Sequence, residues 1–351
     1  MSSEALRGKV QTVLEIIEPE EMGITLAHEH ILIDCMFMYV EPKQAGQKGF
    51  AREKLTLRNI GWVRYNWTQN LDNVQLFDEE TAVSEVGHFL AAGGRTIVDP
   101  TSIGLGRDPE GLARISRLSG VHIVMGSGHY LGSTHPPDVK QRDEESIAGE
   151  IIKDIREGVG STGVRAGFIG EIGCSYPIAD EERKCLRAAV AAQRETGAML
   201  MVHPGRDPGS PLQIIETVRT AGGDLARTII CHIDRTCTDR KYLADLAATG
   251  CYIEYDLFGN ESSYYPPNPK IDMPSDAQRM DIVLWHFENG LERQMLLSHD
   301  IATKHRLHEY GGLGYDHLVT NLIPRLLQRG LKQEDVRTLF VQNPAEAFTF
   351  R

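Results

Sequence analysis

Eight short β-rich apolar runs, separated by amphipathic stretches, constrain this chain more than any other feature. They are TLAHEH (25–30), TIVDPT (96–101), HIVMGSGHY (122–130), AGFIGEIG (166–173), MLMVHP (199–204), TIICHI (228–233), YIEYD (252–256) and MLLSHD (295–300). Between most of them lie helical patterns that close on glycine. One opens with Asp180 as its expected N-cap and ends at Gly197; others end at Gly222, Gly250 and Gly330. Strand and helix alternating eight times predict an α/β fold, a (β/α)8 TIM barrel. An open doubly wound sheet is the competing architecture, weakened because no G-x-G-x-x-G follows the first run. The stretch GKVQTVLEIIEPEEMG (8–23) is expected to form a short N-terminal β-hairpin cap over one barrel end. With no linker or low-complexity tract, residues 1–351 read as a single domain.

The polar residues fall in a pattern. His28 and His30 close the first run, and a period of two puts both on one face with Glu29 on the other. Glu171 lies near the end of the fourth run, His203 ends the fifth, His232 lies near the end of the sixth, and Asp300 ends the eighth. A lone strand histidine is ordinarily a satisfied core or surface residue. Four imidazoles and two carboxylates meeting at one barrel end suit zinc or another first-row divalent metal. They exceed the three protein ligands of a single catalytic zinc, so the count favours two ions. Three long loops, residues 31–55, 257–275 and 301–316, follow strands one, seven and eight at the face where barrel enzymes carry their active sites.

Composition excludes some classes of partner. The chain carries 37 basic and 49 acidic side chains, a net charge of −12, which argues against nucleic acid or an anionic membrane surface. No apolar run approaches the ~20 residues of a membrane span. The start, MSSEALRGKV, has no secretory h-region. Six cysteines without a C-x-x-C pair read as reduced thiols of a cytoplasmic protein.

TLAHEH after a short N-terminal strand, GEIG, HPGR, CHIDRT, SHD and a terminal NP near 343 resemble the phosphotriesterase family of the amidohydrolase superfamily. The resemblance spans nearly the whole chain. It is nearest to the animal phosphotriesterase-related branch through GEIGCS, HPGR, GCYIEYDLFG and GGLGY. It implies a binuclear centre of zinc, with manganese or cobalt as substitutes. His28, His30 and Asp300 would hold the more buried ion, His203 and His232 the more exposed one, and Glu171 would bridge them, with a shared hydroxide as nucleophile. In triester-cleaving bacterial relatives the bridge is a carboxylated lysine, so Glu171 marks a departure from that branch. Asp300 would also act as the catalytic base.

For the substrate, Arg235 lies three residues past His232 in a loop that lines the pocket in the family. A guanidinium there suits a carboxylate or sulfonate. Its alternative is an exposed arginine paired with Asp234 or Asp239. Arg206 is a second candidate, weighed against a plain surface role, and Tyr130 a third, weighed against packing. The resemblance implies hydrolysis of a small anionic N-acyl amide, N-acetyltaurine to taurine and acetate, with a lactonase or phosphoesterase as the alternative. It further implies a possible homodimer. Lys304, His305 and Tyr315 have no assigned role, His88, His122 and His286 read as structural, and His299 should point away from the Asp300 face.

Overall fold

The computed structural model describes residues 3–351 apart from 238 and 263, with side chains from residue 5 onward. Eight parallel strands form one sheet in chain order: β1 (Ile24–Leu26), β2 (Gly94–Asp99), β3 (His122–Ser127), β4 (Phe168–Gly173), β5 (Leu200–His203), β6 (Thr228–Ile230), β7 (Tyr252–Tyr255) and β8 (Met295–Leu297). Every neighbouring pair is parallel, as a βαβ path requires. The expected barrel is present.

Alternation along the strands splits the core into two layers. Val98, Val124, Met201, Ile229 and Leu296 belong to an inner cluster with Phe168 and Cys231. Their strand neighbours Ile97, Ile123, Leu200, Ile230 and Leu297 belong to an outer cluster with the helices. The antiparallel hairpin of Val10–Gln11 and Ile16–Ile17 caps the N-terminal end, placing Val10 and Ile17 in the inner cluster. Gln11 Nε2 donates to the carbonyls of Ile155 and Ala166, and the Val13 amide donates to Ile123. The opposite end is left open for the long loops.

The ring closes between β1 and β8 beyond their regular ends. The Asp300 amide donates to the His28 carbonyl and the His30 amide to the Ile301 carbonyl, each at 3.2 Å. Glu29 staples this seam. Its carboxylate accepts from Ser298 Oγ at 2.7 Å, the His299 amide at 2.8 Å, His299 Nδ1 at 2.6 Å and the Ile301 amide at 3.0 Å. Burial opposes ionisation there, but these donors outweigh it and hold the Glu29 carboxyl below its usual range. Glu29→Ala leaves several buried donors without an acceptor. It is expected to cost about 3–5 kcal/mol, read as a lowered denaturation midpoint.

Local sequence explains most helix ends. The helix Asp180–Thr196 carries Asp180, Glu181 and Glu182 in its first turn, where acids complement the helix dipole. Asp180 is its first helical residue rather than its cap. Ala179 occupies that position, and Glu182 reaches back to accept from the Ala179 and Ser175 amides. Gly197 ends it at φ 71°, and a Cβ there would meet the Arg351 carbonyl oxygen at 2.0 Å. The excursion after β1 runs past residue 55 to the helix Glu79–Ala91, because Ile33–Asp34 pairs antiparallel with Gln75–Leu76 and folds the whole segment over the open end.

Candidate metal centre and active site

Glu171, in β4, is buried and surrounded by imidazole nitrogens. His203 Nδ1 lies 3.1 Å from its Oε1, while His232 Nε2 and His28 Nε2 lie 3.3 and 3.5 Å from its Oε2. His30 Nε2 is 3.3 Å and His28 Nε2 3.7 Å from Asp300 Oδ1. All six predicted residues therefore meet at the open end. Only Glu171 and His203 lie within strands. His28 lies in a bend with Ala27, just past the strand, and His30 follows it. His232 and Asp300 lie past their strands with φ of 55° and 51°, left-handed conformations that non-glycine residues rarely adopt.

Three of the four histidines are gripped from outside, and His203 instead turns its Nδ1 to Glu171. His28 Nδ1 lies 2.9 Å from Glu254, His30 Nδ1 2.8 Å from Thr101 Oγ1, and His232 Nδ1 2.8 Å from Asp256. An Nδ1–H held this way leaves Nε2 as a bare lone pair aimed at Glu171 and Asp300, the arrangement outer-shell partners impose on metal-bound imidazoles. His28 Nε2 is buried with no hydrogen-bond partner. His232 Nε2 and His203 Nδ1 face each other at 2.9 Å. One atom each from His28, His30 and Asp300, and one each from His28, Glu171 and His232, lie within 4.8 Å of one another. These donors fit divalent cations.

The electrostatics differ across the cluster. Burial lowers His28, but Glu254, Asp256 and Glu171 outweigh it and raise its imidazole well above its ordinary range, while His203 and His232, both lining the pocket, are held low. Burial, together with Arg235, keeps His232 well below its ordinary range, and burial lowers His203 to about 4 despite Glu171. Both are the neutral imidazoles that metal binding needs. Burial would raise Glu171, but His203, His232 and His28 hold it ionised. Asp256 shows the opposite strain: burial, with Glu254, Asp234 and Asp300 nearby, pushes its carboxyl well up against the pull of His28. A buried centre this rich in carboxylates calls for cationic charge.

A pocket of ≈ 690 Å³ opens onto these residues. Ile33, Cys35, Phe37 and Leu105 are among its apolar lining, and Arg206, Arg235, Tyr130 and Tyr265 contribute polar atoms. Arg235 is only 6% exposed. A one-turn helix, Ile233–Thr236, follows the left-handed His232 and carries it over the site. Its Nη2 lies 3.2 Å from His203 Nε2 and 3.4 Å from the Pro204 carbonyl, while Nη1 is buried without a partner. The carboxylates considered for pairing with it are otherwise engaged. Asp234 accepts from Arg279 Nε at 2.7 Å, and Asp239 caps the helix Arg240–Ala247. Arg206 Nε donates to Tyr265 at 3.1 Å. The Tyr130 hydroxyl lies 3.2 and 3.3 Å from the His203 ring nitrogens and its ring packs on Phe37.

Other residues acquire supporting contacts. Tyr315 donates to the His30 carbonyl at 2.8 Å, Lys304 pairs with Asp72 at 2.7 Å, and the His305 amide donates to Asn73 at 2.9 Å. His299 points away from Asp300, as expected: its Nδ1 faces Glu29, and its Nε2 accepts from the Leu318 amide at 3.0 Å. Glu254, Asp256 and Thr101 escaped the sequence reading. The signal for two of them was present in YIEYD, where acids two apart share one strand face.

Comparison with known proteins agrees with this geometry. A "Phosphotriesterase-related protein" of Nematostella vectensis is 41% identical over 347 residues, covering 98% of this chain and 99% of that one. An "N-acetyltaurine hydrolase" of Mus musculus is 40% identical over 348 residues, covering 99% of each. Among solved structures, a resiniferatoxin-binding protein from Rhodobacter sphaeroides superposes with a TM-score of 0.94 at 36% identity, covering 99% of this chain and 98% of its own. The family model described as "Phosphotriesterase family" matches residues 8–348. Matched by that family model over almost its whole length and by full-length relatives at about 40% identity, this chain belongs to the phosphotriesterase family.

Proposed function

We propose that this chain hydrolyses a small anionic N-acyl amide at a centre of two divalent ions, with N-acetyltaurine, cleaved to taurine and acetate, as its leading substrate. The observation that carries this reading is Arg235, a buried guanidinium with an unpartnered Nη1 beside His203. A desolvated cation without a carboxylate partner is costly, and a substrate anion relieves that cost. The N-acetyltaurine hydrolase activity of similar full-length proteins supports the same reading. The six buried, unbridged cysteines support a reducing, cytosolic setting.

In this reading His28, His30 and Asp300 would hold one ion, His203 and His232 the other, with Glu171 between them; zinc suits the donor set. When bound, the ions polarise the amide carbonyl and make water acidic enough to attack near neutral pH. Asp300 handles the proton. Its side chain is 21% exposed, against 5% or less for the other five, so its carboxylate faces both the buried centre and the substrate. It accepts a proton from the attacking water and passes it to the amide nitrogen as the C–N bond breaks. The acyl group leaves with the water oxygen as a carboxylate, and the amine retains the anion held by Arg235 and Arg206.

A hydrolysis panel tests the reading. Zinc-loaded protein is expected to show its highest kcat/KM on N-acetyltaurine, above neutral lactones and phosphotriesters, and to lose activity on full chelation. Faster turnover of a neutral lactone or triester, or activity surviving chelation, would overturn it.

A further inference from the structure

The loop after β7 folds back over the pocket and places Tyr265 against Arg206. Tyr265 is 5% exposed and lines the pocket. Its ring is held in a small cluster with Leu257 and Met273, with Trp67 and Ile271 packed against them, separate from both barrel layers. The phenol oxygen accepts from Arg206 Nε, and the guanidinium carbon lies 5.8 Å from the ring centroid. From the same loop, Asn268 Nδ2 donates to the Arg206 carbonyl at 3.0 Å. Among the described residues, no carboxylate forms an ion pair with Arg206 or Arg235.

A phenol has one hydrogen to give and lone pairs to receive. Arg206 uses a lone pair. No acceptor among the described residues takes the hydrogen. We infer that Tyr265 is a specificity-determining residue of the anion subsite, orienting Arg206 with its oxygen and donating its O–H to the substrate anion. Arg235, Arg206 and Tyr265 then offer three donor-bearing side chains from three segments of the chain. Each can meet its own oxygen of a sulfonate, whereas a carboxylate has two oxygens to share among them. The inference rests on the anionic-amide reading and narrows its substrate class.

Tyr265→Phe keeps the ring packing and removes the hydroxyl. With zinc-loaded protein, the KM for N-acetyltaurine is expected to rise roughly tenfold or more, the loss expected for a hydrogen bond to a charged group. Its kcat should stay within about twofold, and the KM for N-acetyl-β-alanine, the carboxylate counterpart, should change much less. Calorimetric affinity for ethanesulfonate should fall by the same factor as the KM rises. Unchanged ethanesulfonate affinity, or equal losses on sulfonate and carboxylate substrates, would overturn the role of Tyr265. Arg235→Ala separates the two levels. If it abolishes the preference for anionic amides while Tyr265→Phe does nothing, only the Tyr265 inference falls. If neither changes that preference, the anionic-amide reading falls with it.

Discussion

Glu171→Gln is expected to leave the barrel folded and strip at least one divalent ion from each chain. The substitution keeps size and shape but replaces a carboxylate with a neutral amide. Three imidazole nitrogens lie within 3.5 Å of the Glu171 oxygens, so the amide NH2 must face at least one lone pair that a cation would otherwise take. Glu254→Gln provides the graded comparison. Glu254 reaches the centre through His28 Nδ1, and losing such an outer partner costs roughly 10–100-fold in metal affinity. Loss of a shared direct ligand should exceed that. Elemental analysis after dialysis, with circular dichroism to confirm folding, reads both variants. Two ions retained per chain in Glu171→Gln would refute the bridge.

The sequence showed the centre's members more clearly than the way they are held. Glu171 and His203 sit within strands, where a lone polar side chain in an apolar run located them directly. His232 and Asp300 looked like strand ends too, yet the ladders stop at Ile230 and Leu297. Left-handed turns then bring both side chains to the buried histidine–carboxylate cluster, and neither is the glycine that announces such a turn. Glu254 and Asp256 were hidden for another reason. Their partners His28 and His232 lie 226 and 24 residues away, so the YIEYD pattern shows two acids on one face without showing what they hold. Asp234 misled in the opposite direction. Next to Arg235 in sequence it looks like its partner, but Arg279, 45 residues on, takes its carboxylate and leaves Arg235 free for the pocket. Local pattern thus located the barrel and most of the metal-binding candidates, while long-range pairing determined which charges remained available to a substrate.

That freed guanidinium yields the second large effect. Arg235→Ala is expected to raise the KM for anionic amides by roughly 30-fold to several thousand-fold, matching the about 2–5 kcal/mol lost when one partner of a buried charge pair is truncated. Neutral esters lack the partner and should change by no more than about threefold. Stability separates this account from a structural one. A guanidinium bound into the fold by carboxylates would destabilise the protein when removed. Among the described residues, the Arg235 guanidinium instead has hydrogen-bond partners only in His203 and the Pro204 carbonyl, with Nη1 unpartnered. Removing an uncompensated buried charge should therefore leave Tm unchanged or raise it. Arg206→Ala should show the same selectivity with a smaller loss, because Arg206 is less deeply buried than Arg235 and Tyr265 already occupies its Nε. An equal KM rise for anionic and neutral substrates would mean that Arg235 acts on the reaction through His203, and would remove it from the anion subsite.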